Sequence, residues 1–127
     1  MCAGIAVTRN FVGSPHTDAR DTRHQYAVSL GAFEGGELCV ESAGGVTISV
    51  VDTRGRCAKV DGRHVHWVRS HAGGERYSLI FYSTVGDPAP IGLSVDTEWR
   101  PSGVNGDAGL AALSLNDAPA DAKTARV

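Results

Sequence analysis

The segment His16-Thr17-Asp18 follows a Gly-Ser-Pro turn and carries two side chains that can bind a metal ion together. On an extended backbone, residues i and i+2 point to the same side. The imidazole of His16 and the carboxylate of Asp18 can therefore reach one ion. Such triplets also arise by chance, and a surface histidine beside an aspartate is the ordinary interpretation. By itself the triplet is a weak indication of a metal site.

A second group of histidines lies in Asp61-Gly62-Arg63-His64-Val65-His66. His64 and His66 also share one face of an extended segment, and either can supply a third ligand from a distant part of the chain. Two histidines and one carboxylate leave positions open on an octahedral metal, the arrangement by which ferrous iron activates oxygen. The alternative is a pair of strand histidines without a metal.

Arg76 and Ser78 form a candidate carboxylate site ten and twelve residues after His66. Both face the same side of an extended segment, and a guanidinium fork matches the two oxygens of a carboxylate. An arginine in a segment as apolar as residues 79–82 is costly unless an anion pairs with it. That anion is either an Asp or Glu of the protein or a dicarboxylate ligand.

Taken in order, these segments resemble the core of the Fe(II)- and 2-oxoglutarate-dependent dioxygenases, a double-stranded β-helix of the jelly-roll or cupin-like type. The resemblance covers about residues 5–84, and its parts are specific in combination although each is common alone. The motifs are HxD at 16–18, GxFxGGEL at 31–38, DGRxxHxV at 61–68 and GERYSLIFY at 74–82.

The resemblance implies a metal-binding role for three residues. His16 and Asp18 correspond to the proximal ligands of Fe(II), and His66 to the distal ligand, because it precedes Trp67-Val68 as in the family's HxV motif. His64, two residues earlier, and His71, in a loop expected to be solvated, are the alternatives for the distal position.

The resemblance also implies a cosubstrate and an activity. Arg76 and Ser78 would bind the far carboxylate of 2-oxoglutarate, with Tyr26 as a further contact. The enzyme would use O2 to hydroxylate or oxidatively demethylate its substrate, with succinate and carbon dioxide as co-products. The prime substrate stays open between a protein side chain, a nucleobase and a small molecule, and the lack of a basic excess counts mildly against DNA.

Two competing hypotheses remain at this point. One is a metal-binding or ligand-binding barrel of cupin type without oxygenase activity, which would have no need of a dicarboxylate site at Arg76 and Ser78. The other is an inactive or N-terminally truncated remnant, because no counterpart precedes Met1 for the helices that usually cover the sheet in this family. An uncovered sheet face predicts poor solubility or dimerisation, and the oligomeric state stays open.

The elements that must position these residues are short strands. Apolar runs with alternating polarity, separated by Gly-rich and Asp-Gly turns, indicate a mainly β fold with few or no helices, a sandwich or a barrel. Gly31, Gly35 and Gly36 are expected at tight turns. The predicted strands lie within residues 3–11, 25–30, 37–41, 46–51, 58–60, 64–68 and 76–84, with one more within 91–99.

Composition sets the remaining limits. The 127 residues predict one domain, with the β core in 1–100 and an Ala-, Gly- and Asp-rich tail in 101–127. We expect that tail to be poorly ordered, since its one weak apolar run (110–115) has little to bury; a short packed helix is the alternative. The net charge of −2 gives no bulk attraction to nucleic acid or an anionic membrane.

The three cysteines are odd in number and match no zinc motif, so free thiols in a reducing compartment are expected. The first residues lack the charged-then-apolar pattern of a signal peptide, and no apolar run has the length expected of a membrane span. These features predict a soluble, cytoplasmic or otherwise intracellular protein.

Overall fold

The computed structural model describes residues 4–101, which form nine short β-strands and one turn of 3-10 helix. Every strand pairing is antiparallel. The expectation of a mainly β fold is confirmed, whereas residues 102–127 and the predicted tail lie outside the described part. The strands are β1 Gly4–Arg9, β2 Gln25–Leu30, β3 Glu34–Gly35, β4 Leu38–Glu41, β5 Ile48–Val51, β6 Ala58–Val60, β7 His66–Val68, β8 His71–Ala72 and β9 Tyr77–Tyr82, with the 3-10 turn at Ala43–Gly45.

The strands form two larger sheets and one small one. The four-stranded sheet has the order β1-β9-β2-β6, the three-stranded sheet the order β5-β4-β7, and β3 pairs with β8. Apolar side chains of both larger sheets pack in one cluster, so these sheets lie face to face with the core between them. The cluster consists of Ala27, Leu38, Val40, Val51, Ala58 and Val60.

Most of the strand predictions are confirmed, and the differences have local causes. β3 and β8 were missed because each has only two residues in a Gly-containing segment, too few to show an alternating pattern. The strand predicted within residues 91–99 is wrong, since Val95 makes only an isolated bridge to Val60. Two backbone hydrogen bonds hold this segment, from Asp61 N to Ser94 O and from Asp96 N to Lys59 O, both at 3.0 Å. Side chains also bind its backbone at Gly92 and Leu93.

The outer face of the four-stranded sheet carries several accessible apolar side chains. Ile5 and Val7 of β1 are 55% and 65% exposed, and Leu30 and Tyr77 are also exposed. Ladder pairing places Ile5 opposite Phe81. Val7 lies in the next row on the same face, and Leu30 lies opposite Tyr77 in the row after that. The expectation of an uncovered sheet face stays a prediction, since on the β2 side Tyr26 contacts Trp99 and Val28 is buried.

Cys39 and Cys57 are buried and free. Burial raises the pKa of both thiols, so neither is activated as a nucleophile. Cys2 lies outside the described residues. Among residues 4–101, no helix has the length and apolar character needed to cross a bilayer.

Candidate metal centre

His16, Asp18 and His66 come together at the end of the three-stranded sheet. His16 and Asp18 lie in the connection between β1 and β2, and His66 begins β7. Two backbone hydrogen bonds join His16 to His66: His16 N donates to His66 O at 3.0 Å, and His66 N donates to His16 O at 2.9 Å. One ligand atom from each of the three side chains lies within 4.8 Å of the others. A local triplet and a distant histidine therefore form one cluster.

The two imidazoles present the same nitrogen to the centre of this cluster. His66 Nε2 lies 3.3 Å from Asp18 Oδ2, and His16 Nε2 lies 3.7 Å from Asp18 Oδ1. His16 Nδ1 is 2.8 Å from the carbonyl of Ser14, and His66 Nδ1 is 2.9 Å from the carbonyl of His64. A carbonyl can only accept, so the ring proton of each neutral histidine belongs on Nδ1 and the lone pair on Nε2. This is the tautomer that a metal ligand needs.

The cluster is electrostatically coupled. When His66 is protonated on both ring nitrogens, Nε2 donates to Asp18, and this hydrogen bond is the main reason that the pKa of Asp18 lies below its ordinary value. Burial alone would lower the pKa of His66, but the hydrogen bonds with Asp18 and the His64 carbonyl outweigh it and raise that pKa. An ionised carboxylate between two imidazoles attracts a cation, and the donor set of two nitrogens and one oxygen suits a divalent first-row transition metal.

The three candidates for the distal ligand are now distinguished by position. His66 belongs to the cluster, whereas His64 Nε2 lies 2.8 Å from the carbonyl of Gly92 and so donates away from it. His71 is in β8, with Nε2 3.3 Å from Asn10 Oδ1. The expectation that His71 lies in a solvated loop is wrong, because it is half-buried in a strand.

Arg76 lies in the same cavity as the His-Asp-His cluster. The cavity has a volume of about 780 Å³, and its walls include the cluster, Arg76 and Ser78. Arg76 is 2% exposed, and its Nε and Nη1 have no hydrogen-bond partner among the described residues. Burial lowers its pKa from the ordinary value, an effect that the more distant Glu37 opposes. A buried guanidinium with two donors unpaired within residues 4–101 therefore forms part of the cavity wall.

The room for Arg76 comes from a glycine on the neighbouring loop. Gly36 has a φ of +73°, and a Cβ there would lie 2.7 Å from Arg76 Nε. The aromatic ring of Phe33 lies under the guanidinium, with its centroid 5.5 Å from Arg76 Cζ, a favourable cation–π distance. The turn glycine predicted at position 36 thus has a second role beside its backbone torsion.

Ser78 has a partner that sequence reasoning missed. The ladder places Thr8 of β1 directly opposite Ser78 of β9, and their hydroxyl groups are hydrogen-bonded. Thr8, Arg76 and Ser78 all line the cavity. The only signal in the sequence was the alternation of β1, which does not reveal the register with β9.

Tyr26 does not belong to this group. Its neighbours Gln25 and Ala27 line the cavity, so the alternation of β2 turns Tyr26 to the other side of the sheet. Its ring contacts Trp99, with the centroids 5.1 Å apart. The expected contact between Tyr26 and a cosubstrate is corrected accordingly.

Comparisons with protein-family models, with curated protein sequences and with solved structures find no match to this chain.

Proposed function

We propose that this chain is an Fe(II)- and 2-oxoglutarate-dependent dioxygenase with a double-stranded β-helix core. The observation that carries the proposal is the shared cavity, which has a two-histidine, one-carboxylate cluster and a buried arginine with unused donors. Alone, the cluster fits any metal-binding barrel, and the arginine fits any site for an anion. Together they match a reaction that needs a metal ion and a dicarboxylate in the same pocket.

The sheet arrangement supports the fold part of the proposal. Two antiparallel sheets face each other, and the cavity opens between their inner surfaces. A double-stranded β-helix has such paired sheets, with its ligands inside the roll. The cluster and Arg76 come from both sheets and the connection between β1 and β2.

The donor set fits the metal. His16, Asp18 and His66 would hold Fe(II) through two neutral imidazole nitrogens and one carboxylate oxygen. Iron(II) bound there would activate dioxygen. This chemistry would couple the oxidation of the prime substrate to the oxidative decarboxylation of 2-oxoglutarate, which gives succinate and carbon dioxide. The Ser14 and His64 carbonyls orient the two rings.

Arg76 would bind the carboxylate of 2-oxoglutarate that lies away from the metal. Its unused Nε and Nη1 are buried, and in a poorly solvated site a charge-assisted hydrogen bond is stronger than in water. The hydroxyl of Ser78, placed by Thr8, is the second polar group at this end of the cavity. These residues orient the cosubstrate, so that its keto acid end can face the His-Asp-His cluster.

The test is an anaerobic titration with Fe(II), then with 2-oxoglutarate, followed by visible absorption. The expected result is iron binding, then the weak charge-transfer band of the metal–keto acid chelate. Asp18→Ala should remove both signals, whereas Arg76→Met should keep iron binding and lose the band at moderate cosubstrate concentration.

The outcome also separates the competing class of protein. Iron binding by the parent protein without a band at any 2-oxoglutarate concentration would overturn the proposal and favour a metal-binding barrel of cupin type. A band that persists unchanged in Arg76→Met would show that another residue binds the cosubstrate.

A further inference from the structure

Gln25 contacts the metal-ligating carboxylate without being a ligand itself. It begins β2, is 4% exposed and lines the cavity. Its Nε2 lies 3.0 Å from Asp18 Oδ2 and 2.9 Å from Asp21 Oδ2. One side-chain amide therefore donates to two carboxylates, one of which belongs to the His-Asp-His cluster.

Gly62 packs against the same contact. Its carbonyl accepts a hydrogen bond from Asp18 N at 2.8 Å. A Cβ at position 62 would lie 2.3 Å from Gln25 Nε2 and 3.1 Å from Asp18 Oδ2. Its φ is not among the positive values of the chain, so space rather than torsion requires glycine here. The Asp-Gly dipeptide that predicts a turn thus has a further use.

We infer that Gln25 is a positioning residue for Asp18, in the space that Gly62 leaves open; the inference rests on the proposed metal centre. The amide engages Oδ2, while Oδ1 faces His16 Nε2 at 3.7 Å and has no hydrogen bond within residues 4–101. Held in this way, the carboxylate cannot rotate freely, and one oxygen stays available to the ion.

The chemistry of the amide suits this role. A lysine or arginine in its place would neutralise Asp18 and compete with a metal ion for its charge. A neutral N–H donor orients the carboxylate and leaves that charge intact. Hydrogen-bond partners of metal ligands typically change metal affinity about 10–100-fold when they are removed.

The alternative is a purely structural role, in which Gln25 only bridges Asp18 and Asp21. That role predicts lower stability for Gln25 variants but no specific change in the metal site. A suitable experiment therefore measures metal binding and stability of the same variants separately.

The test titrates the metal-free protein with Co²⁺ alone. Visible absorption gives both the dissociation constant of Co²⁺ and, from the intensity of its band, the coordination number. Gln25→Met should weaken Co²⁺ binding about tenfold or more. It should also weaken the visible band, because a freely rotating Asp18 can bind through both oxygens and raise the coordination number. Gly62→Ala should change both quantities in the same direction.

Tyr26→Leu is the matched control. It alters the adjacent residue of the same strand, which faces Trp99 rather than the cavity, so it can lower the melting temperature without touching Asp18. Its Co²⁺ affinity and band should equal those of the parent.

Three results would overturn the inference: parent-like Co²⁺ binding in Gln25→Met, an equal loss in Tyr26→Leu, or no Co²⁺ binding by the parent. The first two leave the proposed oxygenase function intact. Conversely, Co²⁺ binding that depends on Gln25, in a protein that forms no chelate with Fe(II) and 2-oxoglutarate, would defeat the proposed function and leave the inference standing.

Discussion

The guanidinium of Arg76 is buried with two nitrogens unpaired among the described residues, an arrangement that costs stability. We therefore predict opposite effects of Arg76→Met on stability and on cosubstrate binding. Removing an uncompensated buried charge should raise the melting temperature of the free protein, by about 4–8 °C if it gains about 1 kcal/mol. The affinity for 2-oxoglutarate should fall about 10- to 100-fold, as measured by the concentration needed to form the chelate band, because a hydrogen bond to a charged group contributes about 1.5–3 kcal/mol.

Arg9→Met is the control for this prediction. Arg9 is exposed and pairs with Glu75 at the surface, so its replacement should leave both the melting temperature and the cosubstrate affinity close to those of the parent. A less stable Arg76→Met protein would contradict this prediction and mean that the contact with Phe33 and other contacts of the side chain outweigh the cost of the buried charge.

His64 and His66 are two residues apart, but only His66 belongs to the cluster. His66→Ala, like Asp18→Ala, should abolish metal-dependent formation of succinate from 2-oxoglutarate. His64→Ala keeps the backbone carbonyl that orients His66 and should retain activity within a few-fold. Succinate release by His66→Ala at the parent rate would show that the ligand assignment is wrong.

At the scale of elements, the β6–β7 connection is held by a buried ion pair. Asp61 is fully buried; its Oδ1 accepts from Arg63 Nε and its Oδ2 from Arg63 Nη2, both at 2.8 Å. Burial alone would raise the pKa of Asp61, but the hydrogen bonds from Arg63 and from the Gly92 backbone lower it to about 2. The same pair ties the segment around Gly92 to the sheet edge beside Asp18.

The lowered pKa of Asp61 predicts how stability depends on pH. Because the folded-state pKa is below the unfolded value of 3.8, the contribution of Asp61 is present above about pH 4 and is lost as the pH falls towards 2. Urea unfolding should show a difference between the parent protein and Asp61→Asn that is large at pH 7 and shrinks between pH 4 and 2. Asp87→Asn, at an exposed position, should show no such pH-dependent difference.

Arg63→Met tests the same pair from the other side. It leaves a buried carboxylate without its cation and should cost about 3–5 kcal/mol of unfolding free energy at neutral pH. A loss below about 1 kcal/mol would mean that the pair does not hold the connection.

The loop between β3 and β4 allows a prediction with a close control. Gly36→Ala and Gly73→Ala both place a side chain at a positive φ, +73° and +91°, so each should cost about 1 kcal/mol or more of stability. Only at position 36 would the added Cβ meet Arg76, since nothing lies within 4 Å of a Cβ at position 73. Gly36→Ala alone should therefore weaken 2-oxoglutarate binding, as measured in the chelate titration.

At the scale of the whole molecule, the exposed apolar face of the four-stranded sheet predicts self-association or poor solubility. Val7→Lys places a charge among the exposed apolar residues of β1, the edge strand of that face. It should lower the average mass measured by sedimentation at high protein concentration and reduce the binding of a dye specific for apolar surface. Val46→Lys, at a residue that is 82% exposed beside the 3-10 turn, should change neither. Equal effects of the two variants would mean that the sheet face is not responsible.

The sequence by itself was sufficient for most of the strands and for the types of residue at the site. Alternation and turn residues located seven of the nine strands that residues 4–101 form. The His-x-Asp and Arg-x-Ser spacings identified side chains that share a face, because this pattern depends only on local backbone geometry. Only the tertiary structure decided which distant residues meet. Strand register and sheet packing determine the pairing of Thr8 with Ser78 and the contact of Gln25 with Asp18. They also place His64 and Tyr26 away from the site and bury Arg76. These are set by contacts between segments far apart in the chain, for which local periodicity has no signal.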